Sequence, residues 1–125
     1  MTRAQLSVYM FGLYLISGIC LPLLIIPDFA LGMFGISAGD GMWVRYVGVL
    51  AGVIGAFYIA AVLTRTDIML GWTVPARYVT ATFLCAMVVL GKVGLALLLF
   101  AAFDALTASI TWIAIKADAE DEASA

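Results

Sequence analysis

Asp104 is the residue whose type and position most constrain what this chain does. It stands within a long apolar stretch, about 11 residues from either end of the segment it occupies, near the bilayer midplane if that segment spans a membrane. A carboxylate cannot face lipid there in its ionised form. Either it is protonated or it points at a donor inside a bundle. Thr107 and Thr111 follow at i+3 and i+7, giving one polar stripe with the small Ala101 and Ala108 beside it. Two chemistries fit: a hydrogen bond across helices that fixes the bundle, or a proton, ion or ligand site. Arg45 is the second candidate. It lies in the first turn of an earlier apolar segment and either snorkels to the headgroups or turns inward. Gly48, Gly52 and Gly55 follow at i+3, i+7 and i+10, a face that lets a neighbouring backbone approach closely. If that neighbour carries Asp104, both residues look into one interior. Counting from the outer ends puts Arg45 about 6 Å deep and Asp104 about 16 Å, so the sharp expectation is a pair in a partly wet cavity bridged by water. Tyr58, deep in the same segment as Arg45, calls for an internal partner for its hydroxyl. Tyr46 and Tyr78 flank expected helix starts and suit an aromatic belt.

Other chemistry is poorly provided for. Histidine is absent, which removes the commonest haem and metal ligand. Cys20 and Cys85 fall in separate apolar segments without C-x-x-C spacing and read as small buried residues. The methionines are scattered. Glycine-rich phosphate loops and nucleophile–base arrangements are missing, so catalysis is disfavoured, no catalytic residue is assigned, and no cofactor or metal is expected. Without a basic patch, nucleic acid is not an expected partner.

The elements that hold these residues follow from composition. Of the 125 residues 66% are apolar and 11% charged, and mean hydropathy is +1.17; the expected solvent is lipid. A crossing takes about 20 apolar residues, so the chain has room for four. The first, about Leu6 to Ile26, is longer than a signal-peptide core and lacks a small-x-small site after it, and is read as a span bent by Pro22. The connection after it reads as a turn of interfacial amphipathic helix. The second span runs from Met42 to Leu63. An interfacial connection with Trp72 at headgroup depth follows, and Pro75 suits the first turn of the next helix. Residues 76–115 would make a single helix of ~60 Å, about twice the hydrocarbon thickness, so the stretch must fold back. Gly91, Lys92 and Gly94 mark the turn, giving spans at 76–90 and 93–115. The fold expected is all-α, an antiparallel up-down four-helix membrane bundle over residues 1–117, followed by an acidic disordered tail, 118–125. With the N-terminus inside, Arg3, Arg65, Arg77 and Lys116 face the cytoplasm against Arg45 and Lys92 outside, which favours cytoplasmic termini.

The pattern Trp43-x-Arg45-x-x-Gly48, Gly55-x-x-Tyr58-x-Ala60-Ala61, then Arg77, and Asp104 in the last helix resembles the DoxX-like group of small four-helix bacterial membrane proteins. That resemblance implies a plasma-membrane bundle and an accessory role beside quinol or thiosulfate oxidation. The favoured expectation is therefore an accessory or assembly subunit packed on a larger membrane complex. The alternative is a small homo-oligomeric transporter or lipophilic-ligand binder using Arg45 and Asp104. Its partners are then the lipid bilayer and either other membrane subunits or further copies of itself.

Overall fold

The computed structural model describes residues 1–37, 39–92 and 94–124; the expected start of the fourth span, Val93, lies outside them. Helix α1 covers Arg3–Ile25. Its start is fixed by a reciprocal cap, in which Gln5 N–H donates to Thr2 Oγ1 (3.1 Å) and Thr2 N–H donates to Gln5 Oε1 (3.0 Å). Over Leu15–Cys20 the helix widens to a π turn, immediately before Pro22, whose missing N–H leaves a carbonyl one turn back to be satisfied another way. A short helix α2, Pro27–Gly32, follows. Helix α3, Met42–Leu63, has the bounds expected from its apolar run and starts from Gly41 in the left-handed region (φ 80°). Helix α4 spans Asp67–Val89. Gly91, at φ 73°, reverses the chain, with Lys92 exposed at the turn, and a 3-10 turn, Leu95–Leu97, leads into α5, Leu98–Ser124.

Among the described residues all regular structure is helical, and four helices are long and apolar enough to cross a membrane. This is the architecture of a multi-pass membrane protein built as a four-helix bundle. α1 lies between α3 and α5, α4 pairs along α5, and α3 and α4 touch only slightly. At one end Val8, Val62 and Leu70 pack together with Tyr9 and Tyr58. Along α5 the buried residues are Ala101, Ala108, Thr111 and Ala114, small enough for close helix approach. Large apolar side chains face outward instead, among them Leu50, Ile54 and Phe57 on α3 and Val79 and Phe83 on α4. In lipid that surface costs nothing to expose.

Three expectations are corrected. The third span is not the short 76–90 segment: α4 begins nine residues earlier, at Asp67, and carries Pro75 in its interior. Trp72 and Gly71 are therefore helical, and Tyr78 is mid-helix with its hydroxyl bonded to Ser109 rather than in an aromatic belt. A proline within a helix leaves the carbonyl one turn back unbonded, a defect that membrane helices tolerate where neighbours compensate. Second, the acidic tail is helical through Ser124. Its alanines and glutamates are good helix formers, and the aspartates tie the helix to the N-terminus, where Asp118 accepts from the Ala4 N–H (3.0 Å) and Asp121 pairs with Arg3 (3.1 Å). Third, the glycine face of α3 meets α1, not the helix that carries Asp104. A Cβ on Gly55 would sit 2.7 Å from the Gly12 carbonyl oxygen, and one on Gly52 would sit 2.6 Å from Cys20 Sγ. Gly48 lies against Leu23 and the Cys20 carbonyl.

Candidate functional site: an interior arginine and an aspartate

Because α4 starts at Asp67, Arg77 lies ten residues into it, about 15 Å along the axis. Helical side chains lean toward the N-terminus, and Arg77 follows this rule. Its Nε donates to the Thr73 carbonyl (3.2 Å) and its Nη2 to Thr73 Oγ1 (3.2 Å) and Thr111 Oγ1 (2.8 Å). The guanidinium lies over the Phe11 ring, 4.6 Å from its centroid, a cation–π contact strengthened by exclusion of water. Arg77 is 3% exposed and Thr111 0%. Nη1 of Arg77 is buried without a hydrogen-bond partner among the described residues.

Thr111 is the hub of this network. It accepts from Arg77, bonds Ser7 Oγ (2.9 Å) and faces the Thr107 carbonyl (3.0 Å). Its single hydrogen goes to one of the latter two. Ser7 also reaches the Ala4 carbonyl (2.9 Å). One threonine thus links α1, α4 and α5.

Asp104 is half-buried, and among the described residues no donor reaches its carboxylate. Around it Tyr14 of α1, Tyr58 of α3, Arg77 of α4 and Phe103 of α5 are joined by ring contacts, so all four spanning helices contribute to one neighbourhood. Aromatic rings connect the two charged residues. Tyr14 packs on Phe103, next to Asp104 in sequence, with centroids 4.5 Å apart, and on Phe11 at 5.6 Å; Phe11 in turn meets Tyr58 at 5.9 Å. Gly18 leaves the space that the Tyr14 ring fills, since a Cβ there would come within 3.0 Å of it. Between α1 and α5 a recess of about 330 Å³ is lined by Ser7, Phe11, Tyr14, Phe103 and Thr107, among others.

The residues singled out from sequence divide into two groups. Thr111 enters the Arg77 network and Tyr58 reaches it through its ring contact with Phe11, whereas the Asp104 side chain bonds neither of them among the described residues. Thr107 lines the recess but turns its hydroxyl to its own backbone, at Phe103 (2.8 Å) and Asp104 (3.2 Å). Tyr58 is half-buried, and its hydroxyl has no hydrogen bond among the described residues. Arg45 is elsewhere: it is exposed in the first turn of α3, its Nη1 3.4 Å from the Gly41 carbonyl. The expected Arg45–Asp104 cavity does not form, because α1 occupies the glycine face and α5 packs on α1 and α4. The interior cation is Arg77, whose place in the sequence reads as that of a headgroup charge. Ser7, Tyr14 and Thr73 were missed with it. Thr73, one turn before Arg77, is the readable signal, and it faces Arg77 only because the helix begins at Asp67. Among the described residues no cluster of histidine, cysteine or acidic side chains has metal-binding geometry.

Such an arrangement holds one fixed cation with an unused N–H, one carboxylate and two phenols in a region of low dielectric. It is equipped to bond a carbonyl, carboxylate or proton, and holds no nucleophile activated by a base. The chain matches no protein-family model, no curated protein and no solved structure.

Proposed function

We propose that this chain is a small accessory or assembly subunit of the bacterial inner membrane, packed against a larger membrane complex, in the role that its resemblance to DoxX-like proteins implies. The observation that carries this reading is Asp104. Its carboxylate is half-exposed in the apolar zone without a donor, lipid offers none, and a charged group there costs ~3 kcal/mol even after local adaptation. A partner helix that supplies a donor removes that cost. Purification in mild detergent tests it: the subunit should leave the membrane in fixed ratio with larger proteins, and Asp104→Ala should release it from them. Recovery of the wild-type chain alone as a uniform oligomer would count against the proposal. Asp104→Asn should keep the complex together, because an amide still bonds across helices.

A second reading, a transporter or lipophilic-ligand binder, is favoured by one specific observation, the buried and unpartnered Nη1 of Arg77. Under it, Asp104→Asn leaves assembly intact but abolishes ligand or proton exchange. The two readings separate on that variant.

In this reading both termini lie in the cytoplasm. With Arg77 removed from the surface count, Arg3, Arg65 and Lys116 remain on the terminal side against Arg45 and Lys92 on the other, still a positive-inside bias. A cysteine placed at Lys92 should react with an impermeant label in intact cells, whereas one placed at Glu122 should react only after permeabilisation. The reverse pattern would invert the orientation.

A further inference from the structure

The outer edge of the α4–α5 pair carries a cleft that the interior site does not use. Three recesses meet at Tyr78. One of about 400 Å³ is lined by Gly71, Val74, Pro75 and Trp112, among others; one of about 550 Å³ continues past Pro75 to Val79 and Phe83; and one of about 220 Å³ reaches Ser109 and Lys116. Sequence explains why the edge is hollow. Gly71 has no side chain, and a Cβ there would meet nothing within 4 Å. One turn on, Pro75 presents only a compact ring, and Tyr78 is held back by its bond to Ser109.

From Gly71 to Phe83 the cleft follows α4 for about 18 Å at 1.5 Å per residue, parallel to the direction in which acyl chains lie. Its walls are apolar along this length except at Thr82, and the hydroxyls of Tyr78 and Ser109 satisfy each other. At the end nearer the chain termini stands Lys116, exposed, with its Nζ 4.9 Å from the centre of the Trp112 ring. Tryptophan and lysine together at a span end are interface anchors. Glu120, one turn further along, does not pair with Lys116: among the described residues the ion pair is Arg3 with Asp121. The ammonium therefore has no ion-paired carboxylate among the described residues; Asp67, Asp118 and Glu122 line the adjoining recess that shares Gly71 and Ile115 with the slot, so the cationic side of the mouth is the one at Lys116 and Trp112.

We infer that this cleft binds one anionic phospholipid of the terminal-side leaflet, its phosphate on Lys116 and one acyl chain along Gly71, Pro75 and Tyr78. The ligand is a lipid rather than free phosphate because the slot offers its length to hydrocarbon and only its mouth to charge. This inference does not depend on either reading of Asp104.

The test uses the full chain reconstituted in vesicles of equal phosphatidylglycerol and phosphatidylcholine, re-extracted in mild detergent, with co-purifying lipid measured by mass spectrometry. The expected result is enrichment of phosphatidylglycerol. Lys116→Glu should lower that enrichment about five-fold or more, the value of a basic residue at an anionic surface, and Lys116→Arg should keep it. Lys116 is exposed, so both variants fold. Gly71→Leu, which fills the slot, should reduce retention of both lipids at unchanged helix content. Equal retention of the two lipids by the wild type, or no effect of Lys116→Glu, overturns the inference. So does a Gly71→Leu variant that changes oligomeric state while keeping its lipid, because a protein helix then occupies the cleft.

Discussion

Gly55→Leu should destabilise the bundle by about 3 kcal/mol or more, at the upper end of what overpacking costs. The argument is geometric. The first carbon of any side chain at this position would lie 2.7 Å from the Gly12 carbonyl oxygen, with Ile16 and Leu15 at 3.0 and 3.1 Å. A backbone oxygen cannot rotate away as a side chain does, so α1 and α3 must separate along their crossing. The contact is mutual, since a Cβ on Gly12 would meet the Gly55 carbonyl at 2.9 Å. Without a hydrophobic driving force between helices in lipid, close packing is what holds this pair. Gly32→Ala is the control: a Cβ there meets nothing within 4 Å, and the change should stay within about 0.5 kcal/mol of wild type. Thermal unfolding in detergent followed by circular dichroism reads both. A Gly55→Leu protein that melts with the wild type would refute the crossing.

Arg77→Ala should cost roughly 3 kcal/mol, about a hundred-fold in the folded-to-unfolded ratio. The substitution strips the donor from Thr111 and uncovers the face of Phe11, both in the interior. Arg77→Met separates packing from charge. Methionine refills much of the volume and relieves the burial of a cation with one N–H unused, and replacement of a buried ion by an apolar side chain is often neutral or better. It should therefore recover much of the stability lost in the alanine variant. If it restores stability without restoring function, the guanidinium serves a ligand or partner; if it restores both, the arginine only fills space. An alanine variant as stable as wild type would remove Arg77 from the site altogether.

How much of this was readable beforehand depends on what each residue reports. The apolar run of α3 is bounded by Gly41 and by Thr64–Arg65, and its limits, Met42–Leu63, follow from hydropathy alone. The reversal at Gly91 follows from length, because 40 apolar residues cannot cross once. Local composition misled at Asp67–Pro75: glycine, tryptophan and proline together have the composition of an interfacial loop, yet neighbouring helices make a proline tolerable inside α4. That one error carried Arg77 from the interior to the surface. The polar stripe of Asp104, Thr107 and Thr111 was legible as a spacing. Which helix it would face was not, because small residues on α3 and on α5 each permit close approach and nothing local chooses between them. The pairing of Arg3 with Asp121 joins opposite ends of the chain and leaves no local trace.

The link between Ser7 and Thr111 also sets an order of events during synthesis. The two residues are separated by 104 positions, which a ribosome adding about 5–20 residues per second needs on the order of 5–20 seconds to cover. The Gly12–Gly55 crossing involves only the first two spans, so α1 and α3 dock while α5 is still being made. During that interval Ser7 lacks its partner on α5, and the acidic end of α5, made after Thr111, then closes over Arg3 and the N–H of Ala4. A chain truncated before residue 111 thus keeps the Gly12–Gly55 crossing but lacks the hydroxyl that joins Ser7 to α5.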